Sequence, residues 1–259
     1  MNWKSVAFIG AGRVTRLLLE GFRKAGVSFS PLLASDIKPE PLQKLKEIFP
    51  AIEISLNDNR AAASADLVFL ALHPPALLEV LKEIKSSLPP ASILISLAPK
   101  ITISKIMDML DGFSRMARII PNASSVVNSG YNPVVFGPGL SQQERDELRS
   151  LFSVLGECPE VREELLEAYA ILTAMGPTYF WFQWEELVKL GESFGLEHGE
   201  AKKAIHQMVV GAAKTFFTSN LTSEEIMDLI PLRPLAEEEA TLRKIYQNRL
   251  KNLYEKLKP

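Results

Sequence analysis

The stretch VAFIGAGRVTRLLLEGF, residues 6–22, decides the fold. It opens on a short β-rich apolar run, meets Gly10 and Gly12 one residue apart, and then turns helical from Arg13. A strand, a glycine turn and a helix in that order form the setting a dinucleotide fingerprint needs. There Gly10 lets the chain turn tightly, and Gly12 lets backbone approach a pyrophosphate with no Cβ in the way. The helix starting near Arg13 aims free N–H groups and its positive dipole end at the phosphates. The third small position of the pattern is Thr15, which predicts tighter helix–strand packing than Gly or Ala would. The expected cradle is Gly10, Ala11, Gly12, Arg13 and Val14; the alternative is a tight turn without a ligand.

Outward from this stretch the first half of the chain alternates. Strand-like runs at 5–10, 31–35, 52–55, 66–72, 92–98 and 117–120 are separated by helical patterns such as 13–26, 75–88 and 104–113. Near-continuous apolar strands between amphipathic helices predict a parallel sheet covered on both faces, and short right-handed crossovers make it doubly wound. NPVVFGP, residues 132–138, reads as a last strand, and Ser141 with Glu144 forms a capping box before the next helix. From Glu163 onward the pattern is helical, with a second capping box at Thr222 and Glu225 and a long closing helix over 237–257. The expected class is α/β, with a dinucleotide-binding domain over residues 1–158 and an all-α substrate and dimerisation domain over 159–259.

Composition narrows the function. The 29 Lys+Arg nearly balance 31 Asp+Glu, so nothing suggests a nucleic-acid or anionic-membrane partner. A single cysteine, Cys158, forbids an intrachain disulfide and fits a reducing cytoplasm. The opening MNWKSVAFIG lacks the basic start and long apolar stretch of a secretion signal. The uncharged run Ala168–Trp184 is short for a membrane span and is interrupted by Gly176-Pro177. It reads as a buried helix pair or a subunit interface, and its large apolar groups predict a homodimer or a higher homo-oligomer. No zinc-ligand spacing, P-loop lysine or nucleophile elbow is present, so no metal is expected.

The ends of the predicted strands supply the remaining candidates. Asp36, about twenty residues past the glycine turn, suits a ribose 2′-OH and so NAD, whereas Lys38 suits a 2′-phosphate and so NADP. Asp36 also reads as a turn residue before Pro39. His73 and Pro74 end the fourth strand, placed either to touch the ribose or phosphates or to serve as loop structure. Pro121 and Asn122 open a polar loop near the expected nicotinamide end. Of the other histidines, His198 and His206 fall in the helical half, where packed or solvated positions are the default.

The segments FIGAGRV, VFLALHP, ISLAPKI, RIIPNASSVVNSG, LTAMGPTYFWFQWEEL and AIHQMVVGAAK together resemble the pyrroline-5-carboxylate reductase family in order and spacing, over essentially the whole chain. The resemblance implies an N-terminal Rossmann domain, a C-terminal helical domain that dimerises by interleaving helices, and reduction of a cyclic imine to proline with NADPH or NADH. Carried over residue by residue, it places the cofactor turn at Gly10 to Val14, puts His73 where the family has a lysine before proline, and keeps the Pro-Asn pair at Pro121 and Asn122. TAMGPTY retains Thr173, Gly176, Pro177 and Tyr179, which makes Thr173 and Tyr179, with Asn122, the candidate substrate-orienting groups; Tyr179 also reads as one of a packed aromatic group.

Two departures stand out. Pro99-Lys100 replaces the family's Ala-Gly after the fifth strand, and LIPLRPLAEEE (229–239) replaces its late Ser-Pro-Gly-Gly-Thr-Thr turn, which holds the substrate carboxylate. Arg233 or Lys100 is a candidate charged clamp in its place, or a solvated surface charge. Three readings follow: an imine reductase, a non-catalytic dinucleotide-binding regulator, and a same-fold reductase with another substrate or a deazaflavin partner.

Overall fold

The computed structural model describes residues 3–258. Its centre is a seven-stranded sheet in the order β3-β2-β1-β4-β5-β6-β8. The strands are β1 (Val6–Ile9), β2 (Leu32–Asp36), β3 (Glu53–Leu56), β4 (Leu67–Leu70), β5 (Ile93–Ser96), β6 (Met116–Ile119) and β8 (Val134–Phe136). All pair in parallel except β8, which runs antiparallel to β6. A short parallel pair, β7 (Gly130–Tyr131) and β9 (Gly156–Glu157), lies outside this sheet.

Helices cover both faces because every residue of β1, β4, β5 and β6 is buried. Alternation sorts the side chains. Val6 and Phe8 join Leu18, Leu42 and Phe152 on one face, against α1 (Arg13–Lys24), α2 (Pro39–Ile48) and α6 (Gln142–Ser153). Ala7 and Ile9 join Ala62, Leu77 and Ile106 on the other, against α3 (Asn59–Ala63), α4 (Pro74–Ile84) and α5 (Ile103–Met109). Phe8 stacks on Phe69 with ring centroids 4.4 Å apart, and Phe152 meets Phe69 edge-on.

One strand residue breaks the apolar pattern. Arg118 in β6 is fully buried and ion-pairs with Glu163 and Glu167, each at 2.7 Å. The same carboxylates accept the backbone N–H groups of Ile103 and Lys100, each at 2.8 Å. Ile120, Leu166 and Ala170 form a small apolar cluster beside this network. Residues 159–175 are therefore compact with the sheet: one unit ends at Met175 and is rejoined from Tyr254 on, while Gly176–Leu253 forms another. The boundary expected at residue 158 falls inside the first unit.

The second unit holds α8 (Trp181–Ser193), α9 (His198–Thr218), α10 (Ser223–Asp228) and most of α11 (Glu239–Leu257). Both expected capping boxes form, Ser141 with Glu144 and Thr222 with Glu225. The run 168–184 is no buried helix pair. It passes from α7 (Leu166–Tyr169) through a π-helical turn and a 3₁₀ turn at Gly176–Tyr179 before α8 starts, and Leu172, Phe180, Trp181 and Phe182 are exposed.

Cys158 is a free, partly buried thiol whose pKa burial pushes up to about 12. The neutral thiol is thus the favoured native form. Any stability it adds is complete below the ordinary thiol range and is lost as pH rises toward that value. Ellman's reagent at pH 8 should label native protein at least ~100-fold more slowly than urea-unfolded chain. Equal rates would show an open thiol.

Candidate dinucleotide site

The glycine turn lies between the carboxyl end of β1 and α1, beside the point where the strand order reverses between β1 and β4. Open α/β sheets bind their ligands there. Gly10 has φ +101°, and a Cβ on it would stand 2.4 Å from the Ala71 carbonyl oxygen. No side chain fits. Gly12 caps α1 in extended conformation, and nothing lies within 4 Å of where its Cβ would be. The first turn of α1 contains no acid and begins with Arg13. Its leading N–H groups have no intrahelical acceptors, and the open space over Gly12 admits an anion to them. These features fit a diphosphate.

The turn is braced from below. The Gly10 N–H donates to the Ser35 carbonyl at 2.7 Å, and the buried Thr15 hydroxyl donates back to the Gly10 carbonyl at 2.5 Å. Thr15 therefore does more than tighten packing, because its hydroxyl locks the loop. Behind it the Ser35 hydroxyl donates to Asn59, whose amide donates to Glu83, each at 2.8 Å. Asp36 at the end of β2 accepts the Ala11 N–H at 2.8 Å and the Lys38 N–H at 2.9 Å. It both buttresses the cradle and presents a carboxylate where the adenosine ribose is expected. Val14, on the first turn of α1, is exposed.

His73 is the N-cap of α4, with Pro74 at the first helical position, and its side chain makes no capping hydrogen bond. Asn122 is buried and occupied: its amide donates to the Thr173 carbonyl, its oxygen accepts the Ser124 N–H at 2.8 Å, and its own N–H donates to Asn132 at 2.8 Å. The fold thus brings Asn122 and Thr173 together. The Thr173 hydroxyl donates to the Tyr169 carbonyl at 2.8 Å. Tyr179 belongs to the second unit, edge-on to Tyr246 with centroids 6.0 Å apart, and burial raises its phenol pKa.

Lys100 adopts φ +75°, unusual for a side-chain-bearing residue, held by its N–H bond to the buried Glu167. Its ammonium donates to the Lys256 carbonyl at 3.1 Å. Arg233 is paired with Glu239, and His198 with Glu192 at 2.5 Å. His206 lines an apolar groove within the second unit together with Trp184, Val188 and Val209. A cleft at the opposite, amino-terminal edge of the sheet is lined by Lys4, Asp66, Arg115 and Glu144. In it Arg115 pairs with Glu144, and Asp66 accepts the Lys4 and Ser5 backbone N–H groups. Among the described residues no cluster of His, Cys, Asp or Glu could hold a metal ion, and no helix is long and apolar enough to cross a membrane.

The trio Arg118, Glu163 and Glu167 does not announce itself in the sequence. The available signal was an arginine inside an apolar strand and two glutamates four residues apart, one helical turn, outside it.

Residues 5–100 match the family model described as NADP oxidoreductase coenzyme F420-dependent, and residues 163–232 match the pyrroline-5-carboxylate reductase dimerisation model. The fold and site thus define a Rossmann-type nicotinamide-linked oxidoreductase with a helical dimerisation domain. A pyrroline-5-carboxylate reductase of Pseudomonas aeruginosa is 26% identical over 98% of this chain and 93% of its own length. The Corynebacterium melassecola enzyme of that name is 27% identical over 81% of this chain and 78% of its own. The solved pyrroline-5-carboxylate reductase of Coxiella burnetii superposes with a TM-score of 0.68 at 26% identity, covering 97% of this chain and 93% of that one. A Plasmodium falciparum pyrroline carboxylate reductase with NADP bound shares the fold, with a TM-score of 0.74 at 19% identity over 98% of this chain and 93% of that one. Along its length the chain is thus similar to pyrroline-5-carboxylate reductases, and these matches support that family.

Proposed function

We propose that this protein is an NAD(P)H-dependent reductase of the C=N bond of a small cyclic imine, pyrroline-5-carboxylate or a close relative, in the manner of proline biosynthesis. Residues 1–158 would carry the coenzyme, and 159–259 the substrate and the subunit contact. The observation that carries this reading is the Gly10–Gly12 turn, sterically closed beneath and open above, against the acid-free start of α1.

The coenzyme, when bound, supplies the hydride. The chain's own task is to fix it. Gly10, Ala11, Gly12, Arg13 and Val14 would grip the diphosphate, Asp36 and Lys38 border the adenosine ribose, and His73 and Pro74 line the end of β4. Asn122 is assigned a positioning role, because its amide is already committed to Thr173 and Ser124. The hydroxyls of Thr173 and Tyr179 are the groups assigned to orient the imine. An imine that arrives protonated needs no strong acid from the protein, so placement is the main catalytic contribution.

The test is direct. NADH or NADPH should be oxidised when pyrroline-5-carboxylate is added. Tight coenzyme binding without turnover of any imine or carbonyl compound in a panel would favour a non-catalytic dinucleotide-binding role instead.

The exposed Phe182, Phe194, Phe217, Leu232 and Leu235 of the second unit leave more apolar surface than a lone small unit hides. The match to a dimerisation model over 163–232 supports a homodimer or larger homo-oligomer through these helices. Sedimentation at micromolar concentration should show at least a dimer, and a clean monomer would refute the assembly. A cytoplasmic setting is part of the same reading, supported by the lone, unpaired Cys158.

A further inference from the structure

We propose that the coenzyme site discriminates by charge against a 2′-phosphate and takes NAD(H) in preference to NADP(H). This rests on the dinucleotide-binding reading above and deepens it. The adenosine ribose of a dinucleotide lies at the carboxyl end of β2 in a doubly wound sheet. In this chain a helix, α2, starts at Pro39, only two residues intervening after that strand. Such a helix start is ordinarily the place where a 2′-phosphate finds donors and a favourable dipole.

Here the start of α2 has lost both means of holding an anion. Its first three residues are Pro39, Glu40 and Pro41, so two of its three leading backbone positions have no N–H. The remaining one carries an exposed carboxylate. The N–H just before the helix, from Lys38, is consumed by Asp36 at 2.9 Å. Asp36 is in turn fixed by the Ala11 N–H at 2.8 Å, so its carboxylate cannot swing aside without releasing the glycine turn. On the neighbouring strand end Asp58 caps α3, adding another carboxylate to this edge. The contrast with α1 is internal to the chain: the helix facing the diphosphate has no acid in its first turn and begins with Arg13, and the helix by the ribose has Glu40 between two prolines.

A ribose 2′-OH can donate to the free lone pairs of Asp36, whereas a 2′-phosphate would face Asp36 and Glu40 with few backbone donors in return. Lys38 is the cation of this turn and opposes the effect; with Asp36 and Glu40 beside it the local charge remains negative.

Calorimetric titration of the full-length protein with NAD⁺, NADP⁺, ADP-ribose and 2′-phospho-ADP-ribose tests this without relying on turnover. The 2′-phosphorylated member of each pair should bind roughly tenfold or more weakly. Asp36→Asn keeps an oxygen to accept the Ala11 N–H while removing the charge. Glu40→Lys, at an exposed position, reverses the charge without touching the glycine turn. Each should shrink the NAD⁺ to NADP⁺ affinity ratio. Equal or tighter binding of the phosphorylated ligands to the unmodified protein would overturn the preference and leave the reductase reading standing. Failure of all four ligands to bind would overturn both.

Discussion

Gly10→Ala will abolish coenzyme binding and cost the first unit several kcal/mol. At φ +101° a Cβ carries a backbone penalty of about 1–2 kcal/mol before any contact is counted. The new carbon would also stand 2.4 Å from the Ala71 carbonyl oxygen and 3.2 Å from a Leu72 methyl, in the middle of the sheet where β1 meets β4. Relief requires β1 and β4 to part or the turn to flip, and a flip breaks the Gly10 N–H bond to Ser35 and the Thr15 bond to Gly10. A loss of about 3 kcal/mol or more is a large share of a typical domain stability of roughly 5–15 kcal/mol. Gly12→Ala is the control, because open space surrounds its Cβ position. Its melting temperature should stay within a degree or two, yet ADP-ribose affinity should fall roughly tenfold or more as the methyl enters the diphosphate's place. If Gly12→Ala binds as well as the parent, the diphosphate does not sit there.

The second large effect concerns the buried ion pairs. Arg118→Met removes the cation that, among the described residues, pairs with Glu167, a side chain 1% exposed, and that also serves Glu163. An orphaned buried charge costs about 3–5 kcal/mol, equivalent to a fall of roughly 6–20 °C in melting temperature for a chain of this size. Removing the charge as well, in Arg118→Met/Glu167→Gln, should restore part of the loss, because the two sites share one network. Urea unfolding of both single variants and the double variant measures the coupling. Strict additivity would mean that the pairs do not interact. The carboxylates also hold the Lys100 and Ile103 N–H groups, so Arg118→Met should speed hydrogen exchange at those two amides.

How much of this was legible depended on range. The alternation of buried strands and amphipathic helices is local, and the strands predicted at 5–10, 66–72 and 92–98 contain β1, β4 and β5. The glycine turn was readable for the same reason: its chemistry lies in adjacent letters. Thr15 was readable only as bulk, since the acceptor of its hydroxyl is fixed by the turn's three-dimensional shape. In sequence Asp36 points to the ribose or to a turn, but its partnership with the Ala11 N–H, across 25 residues, needs the β1–β2 register to appear. Arg118 was invisible as an ion-pair centre because its glutamates lie 45 and 49 residues away. That tie also explains why residues 159–175 stay with the sheet although their composition is that of the helical half. In sequence Asn122 reads as a ligand-facing amide, and its bond to the Thr173 carbonyl exists only once two segments 51 residues apart meet.

The strand order carries a consequence for biosynthesis. β1 emerges first from the ribosome yet ends in the interior of the sheet, with β2 on one edge and β4 on the other. Until residue 71 is out, the carbonyl that walls the Gly10 turn does not exist, and a nascent chain holding only β1 to β3 presents the apolar edge of VAFI unpaired. That exposed ribbon is the sort of surface on which unfinished chains stick to one another, so slow decoding or truncation before the fourth strand is where aggregation should begin.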